Sequence, residues 1–94
     1  SDVKKVSVYG ISPADTLTKL VLKQRQGDWL LNGAKCHIEG DQLIVGEDTY
    51  RCEGICLGWF RLIGEKKRYD FYLLKDGRFI DFRGNTFERP KKNE

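Results

Sequence analysis

The sequence is poor in the residues that usually build metal sites, disulfide frameworks and catalytic centres. Its 94 residues include one histidine, three cysteines, two prolines and no methionine. An odd number of cysteines is a poor disulfide framework, which favours a reducing compartment, so we expect a cytoplasmic protein. Because methionine is absent, Ser1 either follows a removed initiator or lies within a longer chain, and the sequence leaves both open.

Long apolar segments are also absent. No run approaches the roughly 18 apolar residues of a membrane-spanning helix, and no basic segment leads into an apolar one as in a signal peptide. We therefore expect no membrane partner. The net charge of +3 is too small by itself to indicate nucleic acid. The length suits one domain and is too short for two.

The few metal-ligating residues make a weak candidate site. Cys52 and Cys56 are spaced as C-x3-C, and His37 lies upstream. Cys36 adjoins His37, but adjacent side chains on a strand point to opposite faces. Three ligands then remain, whereas a structural zinc site takes four. We expect buried or half-buried structural thiols, with no metal and no cofactor.

The sequence also lacks a catalytic constellation. Nucleophilic catalysis needs a base beside the nucleophile, and His37 cannot share a strand face with Cys36. The glycine patterns of Walker and Rossmann nucleotide sites are missing. Carboxylates are spread through turn-like segments, where turn chemistry accounts for them. We therefore expect a protein that is not an enzyme.

One helix is indicated in the N-terminal half. Residues 4–9 alternate as in a short strand, and Ser12 then provides a helix cap before a proline at the first helical position. The pattern predicts a helix over Pro13–Arg25, although a strand over residues 19–26 is a competing interpretation. Three apolar residues are expected on the buried helix face: Leu17, Leu20 and Val21.

Short strands and tight turns follow the helix. Asn32-Gly33 favours a two-residue hairpin turn, which would pair Leu31 with Ala34 and Trp29 with Cys36. Further strands are expected at residues 43–45 and 49–56, with Gly54 as a bulge or a point of close approach. Such short, closely spaced strands are typical of an antiparallel meander.

The aromatic-rich stretch over residues 57–87 predicts a three-stranded meander. A four-residue turn at residues 64–67 would pair Trp59 with Tyr72 and Arg61 with Asp70. A two-residue turn at Asp76-Gly77 would pair Tyr72 with Asp81. The core face predicted by this register holds Phe60, Leu62, Tyr69, Phe71, Leu73, Ile80 and Phe82. The second face holds Trp59, Arg61, Asp70, Tyr72, Asp81 and Arg83, with Ile63, Leu74 and Phe79 towards one end.

Together these patterns predict an α+β fold. We expect one N-terminal helix packed on a strongly bent antiparallel sheet or small SH3-like barrel of about six or seven short strands. Residues 1–87 would form a single compact domain. Residues 88–94 would form a disordered charged tail.

The second face of the meander is the candidate binding surface. Residues 1–56 carry a net charge of −1 and residues 57–94 a net charge of +4. We expect a non-catalytic module that binds a protein, either a partner or a second copy, through aromatic and basic anchors. The alternative is single-stranded nucleic acid, bound through the same face and the basic turn at residues 66–68. The candidate binding residues are Trp59, Arg61, Tyr72, Phe79, Arg83, Lys66, Lys67 and Arg68. A further interpretation is that the helix covers this face.

Overall fold

The computed structural model describes residues 13–56 and 58–91, which form one helix and an antiparallel sheet. The expected strand at residues 4–9 and the cap at Ser12 lie outside the described residues. The elements in chain order are α1 (Pro13–Arg25), β1 (Gly27–Leu31), β2 (Ala34–Glu39), β3 (Gln42–Val45), β4 (Asp48–Cys56), β5 (Trp59–Ile63), β6 (Arg68–Leu73), β7 (Phe79–Ile80) and β8 (Thr86–Glu88).

The sheet closes into a barrel. Each strand pairs antiparallel with the next, and β8 pairs with β1. The expectation of one helix with an antiparallel sheet is confirmed, but the described residues form eight strands rather than six or seven. The sequence pattern missed β8, because a three-residue strand with the single apolar residue Phe87 shows no alternation.

Helix α1 has the predicted bounds but a different buried face. Val21 and Leu22 join the core, whereas Leu20 is 59% exposed. The prediction placed Leu20 inside because it counted only apolar residues. Two polar residues share the inward side instead: the Thr18 hydroxyl donates to the Gly54 carbonyl, and Arg25 lies over the Phe79 ring.

Gly54 allows the helix to close one end of the barrel. The pairing of β4 with β5 shifts between Gly54 and Cys56, and a Cβ on Gly54 would lie 2.5 Å from the Val21 Cβ. The predicted bulge or close approach is therefore confirmed as both. We call this the helix end of the barrel, and the opposite end, which carries the β5–β6 and β7–β8 loops, the far end.

Aromatic side chains fill the barrel interior. Trp29 stacks on Phe87 with ring centroids 4.3 Å apart, and Phe87 in turn stacks on Phe60 and Phe71. These three phenylalanines have no exposed surface. The interior at their level is therefore a packed core rather than a ligand cavity.

The Asn32-Gly33 turn is confirmed and also helps to close the barrel. Both residues have positive φ, 51° and 85°, and the pairing of Trp29 with Cys36 is as predicted. The Asn32 amide side chain donates to the Asn85 side chain and accepts from the Thr86 N–H. Strands β1 and β8 are joined through only two residue pairs, so these bonds reinforce the closure.

The two turns of the aromatic-rich stretch had different outcomes. The four-residue turn at residues 64–67 is confirmed, with Trp59 opposite Tyr72 and Arg61 opposite Asp70. The two-residue turn is wrong, because the β6–β7 loop has three residues between Leu74 and Arg78. The Leu74 N–H donates to the Arg78 carbonyl at 2.7 Å, and Gly77 has φ of 92°. This is a type I turn ended by a left-handed glycine, which Asp-Gly suits equally well.

The extra loop residue exchanges the two faces of β7. Phe79 is buried in the core, and Ile80 lies outside, opposite Tyr72. Asp81 is buried and Phe82 is 88% exposed, so the predicted core positions of Ile80 and Phe82 are wrong. Leu73, also expected in the core, is 46% exposed at the end of β6. A one-residue change of register has this effect because side chains alternate along a strand.

The β7–β8 loop repeats the same backbone pattern. The Asp81 N–H donates to the Asn85 carbonyl, the Gly84 N–H donates to the Asp81 carbonyl, and Gly84 has φ of 89°. Phe82 and Arg83 therefore lie in the loop rather than on a strand. The Asp81 carboxylate accepts hydrogen bonds from the Arg83 and Asn85 N–H groups and from the Asn85 side chain.

The described chain remains anchored beyond the expected domain boundary at residue 87. Glu88 belongs to β8, and the Arg89 guanidinium lies 4.1 Å from the Trp29 ring centroid. Arg89 also donates to the carbonyl oxygens of Gln24 and Gln26, where helix α1 ends. Glu88 and Arg89, which the sequence pattern assigns to the charged tail, thus contact the barrel and the end of the helix.

Candidate binding surfaces

Three side chains of alternating charge form a row across the outer face of β4, β5 and β6. Glu53 pairs with Arg61, and Arg61 pairs with Asp70. Arg61 Nε lies 2.7 Å from Asp70 Oδ1, and Arg61 Nη1 lies 3.6 Å from Glu53 Oε1. We call Glu53, Arg61 and Asp70 the charged row. Arg83, predicted as a further member, lies in the far-end loop instead.

Interactions within the charged row favour the charged forms of Arg61 and Asp70. The hydrogen bond to Asp70 raises the pKa of Arg61. Burial alone would raise the pKa of the Asp70 carboxyl, but the Arg61 hydrogen bond and the positive charges of Arg61 and Arg68 lower it overall. The row therefore carries internally paired charges of both signs.

A second row, closer to the helix end, is aromatic and apolar. Trp59 lies opposite Tyr72, and Tyr72 lies opposite Ile80. The Trp59 and Tyr72 rings stack with centroids 5.5 Å apart and planes at 29°. Tyr72 is 46% exposed, and the Arg61 guanidinium lies over the Trp59 ring at 5.6 Å. We call Trp59, Tyr72 and Ile80 the aromatic row.

Ile80 in this row was not predicted, and Phe79 was predicted wrongly. Phe79 is only 2% exposed and contacts Trp29 and Phe60 in the core, so it is not available as a surface anchor. The same register error explains both residues. The clue that could have corrected the error is the pair of aromatic residues Phe79 and Phe87. They lie opposite each other on β7 and β8, so a register that turns Phe79 inward buries both.

The remaining predicted residues gather at the far end. They line a cleft of about 400 Å³, which we call the basic cleft. Its lining residues are Lys66, Lys67, Arg68, Tyr69, Arg83 and Asn85. The loop register brings Arg83 beside the β5–β6 turn, where its Nη2 donates to the Arg68 carbonyl at 3.0 Å. The eight predicted residues therefore divide into two separate surface groups and one core residue.

A cleft of mixed charge adjoins the basic cleft. It has a volume of about 490 Å³ and shares Lys66 and Lys67 with it. Its remaining lining residues are Glu47, Asp48, Thr49, Tyr50, Gly64 and Glu65. The carboxylates of this second cleft limit the positive surface on the β3–β4 side.

The candidate metal and catalytic residues are not assembled into a site. Cys36 and Cys52 point into the core, and burial raises the pKa of Cys36 to about 11 and that of Cys52 to about 12. His37 lies on the outer surface, with Nε2 3.6 Å from Glu39 Oε1. Within residues 13–56 and 58–91, no three His, Cys, Asp or Glu side chains are grouped so as to hold a metal ion.

Comparisons of the chain with protein-family models, with curated proteins and with solved structures find no match. No helix in the described part of the chain is long and apolar enough to cross a membrane.

Proposed function

We propose that this protein is a non-catalytic binding module that associates with a second copy of itself through the aromatic row. The supporting observation is the row of neighbouring residues Trp59, Tyr72 and Ile80 on the outside of the barrel, in which the Trp59 and Tyr72 rings stack and Tyr72 is nearly half exposed. Aromatic side chains of this kind dominate the energetics of protein interfaces. The three free thiols fit a reducing compartment, and we place the module in the cytoplasm.

The barrel topology restricts how a partner can bind. Among the described residues β8 pairs with β1, so the sheet they form has no free edge for an added strand. Because aromatic side chains fill the interior, a ligand inside the barrel has no space at that level. Binding through side chains on the outer wall or at the barrel ends therefore remains, and the aromatic row is an apolar surface on that wall.

The charged row argues against nucleic acid on this face. Arg61 is already paired with two carboxylates, Glu53 and Asp70. Both carboxylates would repel phosphate groups placed along the row. A protein surface, which offers charges of both signs, is better matched to this arrangement.

The same charges favour a second copy as the occupant. A two-fold interface brings the same patch of both copies together, so the patch must complement itself. The charged row and Arg68 supply acidic and basic groups side by side, 3.5 Å apart between Arg68 Nε and Asp70 Oδ2. Rotation of one copy can place basic groups of one charged row against acidic groups of the other while the aromatic rows pack together.

Sedimentation equilibrium over a range of protein concentrations tests the proposal. We expect the wild-type chain to shift from monomer to dimer, and Tyr72→Glu to weaken the association about tenfold or more, as for an interface hot spot. Leu20→Glu is the matched control, because it introduces the same charge at an exposed apolar residue elsewhere.

A wild-type chain that remains monomeric at every concentration would overturn the proposal. Equal weakening by Tyr72→Glu and Leu20→Glu would also overturn it, because association would then not depend on the aromatic row. Unfolding curves of both variants establish that a loss of association is not a loss of fold.

A further inference from the structure

The far end of the barrel carries an exposed aromatic side chain, Phe82. Phe82 occupies the first position of the β7–β8 loop and is 88% exposed. The β6–β7 loop has the same hydrogen-bond pattern, with Lys75 at the corresponding position. The turn itself therefore does not require an aromatic residue. The exposed ring lies at a loop tip, where polar residues are usual, and offers an open aromatic face to a ligand.

One cation, Arg83, lies beside this ring. Arg83 follows Phe82 in the chain, and its guanidinium lies 5.6 Å from the Phe82 ring centroid and 6.0 Å from that of Tyr69. The hydrogen bond from Arg83 Nη2 to the Arg68 carbonyl holds the guanidinium in place at the wall of the basic cleft. One side of the Phe82 ring thus faces a fixed positive charge, while most of the ring surface remains open.

The two lysines of the basic cleft, Lys66 and Lys67, are exposed, and neither forms an ion pair with the residues that the structure describes. Two further carboxylates lie beside arginines that line the cleft, Asp81 beside Arg83 and Asp70 beside Arg68. Both are already engaged: Asp81 accepts from the Arg83 and Asn85 N–H groups, and Asp70 pairs with Arg61. Negative charge from Glu47, Asp48 and Glu65 borders the cleft on the β3–β4 side.

We infer that the far end binds single-stranded nucleic acid, with a base stacked on Phe82 and the backbone phosphates in the basic cleft. Stacking on an exposed ring combined with a positive groove is how sequence-tolerant single-strand binders work. The acidic border sets the path of the strand, from the Lys66–Lys67 turn towards Phe82 and away from β3–β4. A duplex fits less well, because its bases are already stacked and cannot reach the ring.

The site shares no residue with the aromatic row and meets the proposed dimer patch only at Arg68, which none of the tested variants changes. It uses the opposite end of the outer wall. Dimerisation and nucleic-acid binding can therefore fail separately, and Tyr72→Glu should leave the affinity for a short oligonucleotide unchanged.

Fluorescence anisotropy with a labelled oligothymidylate of about ten nucleotides tests the inference. We expect Phe82→Leu to weaken binding by roughly tenfold through loss of stacking, and Phe82→Tyr to retain it. We expect Lys66→Glu combined with Lys67→Glu to weaken binding and to flatten its salt dependence, since each phosphate contact adds about −0.7 to the logarithmic slope. Because all three side chains are exposed, unfolding midpoints should stay close to that of the wild type.

Two results would overturn the inference. One is the absence of binding at low salt. The other is binding that Phe82→Leu leaves unchanged and for which heparin or a duplex of equal length competes as well as the single strand. The second result would identify a general contact with polyanions that involves no base.

Discussion

Gly54 and Val21 approach so closely that any side chain at position 54 would force Val21 or the strand to shift. A Cβ on Gly54 would lie 2.5 Å from the Val21 Cβ, closer than real carbon contacts allow. The contact joins the middle of helix α1 to the bulge of β4. It is therefore the point at which the helix is fitted into the end of the barrel.

Replacing Gly54 should consequently separate the helix from the barrel. We expect Gly54→Ala to lower the free energy of unfolding by about 1–3 kcal/mol, as overpacked cores do. Urea unfolding at neutral pH measures the loss. Gly58→Ala is the matched control, because its new Cβ would meet only the Leu73 Cβ at 4.0 Å. Equal losses for the two variants would contradict the proposed packing of the helix.

The buried Asp81 carboxylate should make stability depend on acid pH. Burial raises its pKa, but the hydrogen bonds from Asn85 and Arg83 outweigh burial and bring the pKa below its ordinary value of 3.8. A lowered pKa stabilises the folded protein above the unfolded-state pKa, and this contribution is lost as the pH falls through that value towards the folded-state pKa.

Unfolding free energies measured between pH 7 and pH 3 check this contribution. We expect the wild type to lose more stability below about pH 4 than Asp81→Asn, which has no carboxylate to protonate. Asp76→Asn is the comparison: hydrogen bonds from Arg78 lower the pKa of Asp76 as well, but its carboxylate is exposed and solvent screens its charge, so we expect a smaller change in the acid slope than for Asp81→Asn. An acid slope that is the same in the wild type and in Asp81→Asn would contradict the account.

The three cysteines should differ sharply in reactivity. Cys36 and Cys52 are buried and have pKa values raised to about 11 and about 12, so they hold almost no thiolate near pH 8. Cys56 is exposed. Iodoacetamide should therefore modify the native chain once, at Cys56, and all three cysteines only after denaturation. Mass spectrometry counts the adducts, and rapid native modification of Cys36 or Cys52 would show that the core is more open than described.

The local elements could be predicted because each has a specific sequence signal. Pro13 marks the helix start, and Asn32-Gly33 fits a turn with two positive φ values. The strand register beyond Asp76 could not be predicted, because the local sequence does not determine the length of the loop there. Asp-Gly fits both a two-residue loop and the observed three-residue loop, and the choice depends on which register packs Phe79 and Phe87 together in the core.

The candidate surfaces were predicted as one face and are two for the same reason. The length of the β5–β6 turn predicts the pairing of Trp59 with Tyr72, and this pair forms part of the aromatic row. Arg83 was assigned to that face through the wrong β7 register, whereas it lies in the far-end loop. The same wrong register places Phe82 in the core, so the sequence pattern does not identify it as an exposed residue.

The two tryptophans allow the most direct test of the central claim, that the aromatic row is a self-association surface. Trp59 lies in the row, and its buried indole N–H has no hydrogen-bond partner within the described residues, although it is close enough to Asp70 to help lower that carboxyl pKa. Trp29 lies in the core and donates to the Arg25 carbonyl at 2.7 Å, so it serves as an internal reference.

The measurement is the indole N–H resonance of each tryptophan in ¹H–¹⁵N correlation spectra as the protein is diluted. If the aromatic row is the association surface, the Trp59 resonance shifts with protein concentration, the Trp29 resonance stays fixed, and Tyr72→Glu abolishes the Trp59 shift. A Trp59 resonance that is the same at every concentration at which the protein associates would contradict self-association through the aromatic row.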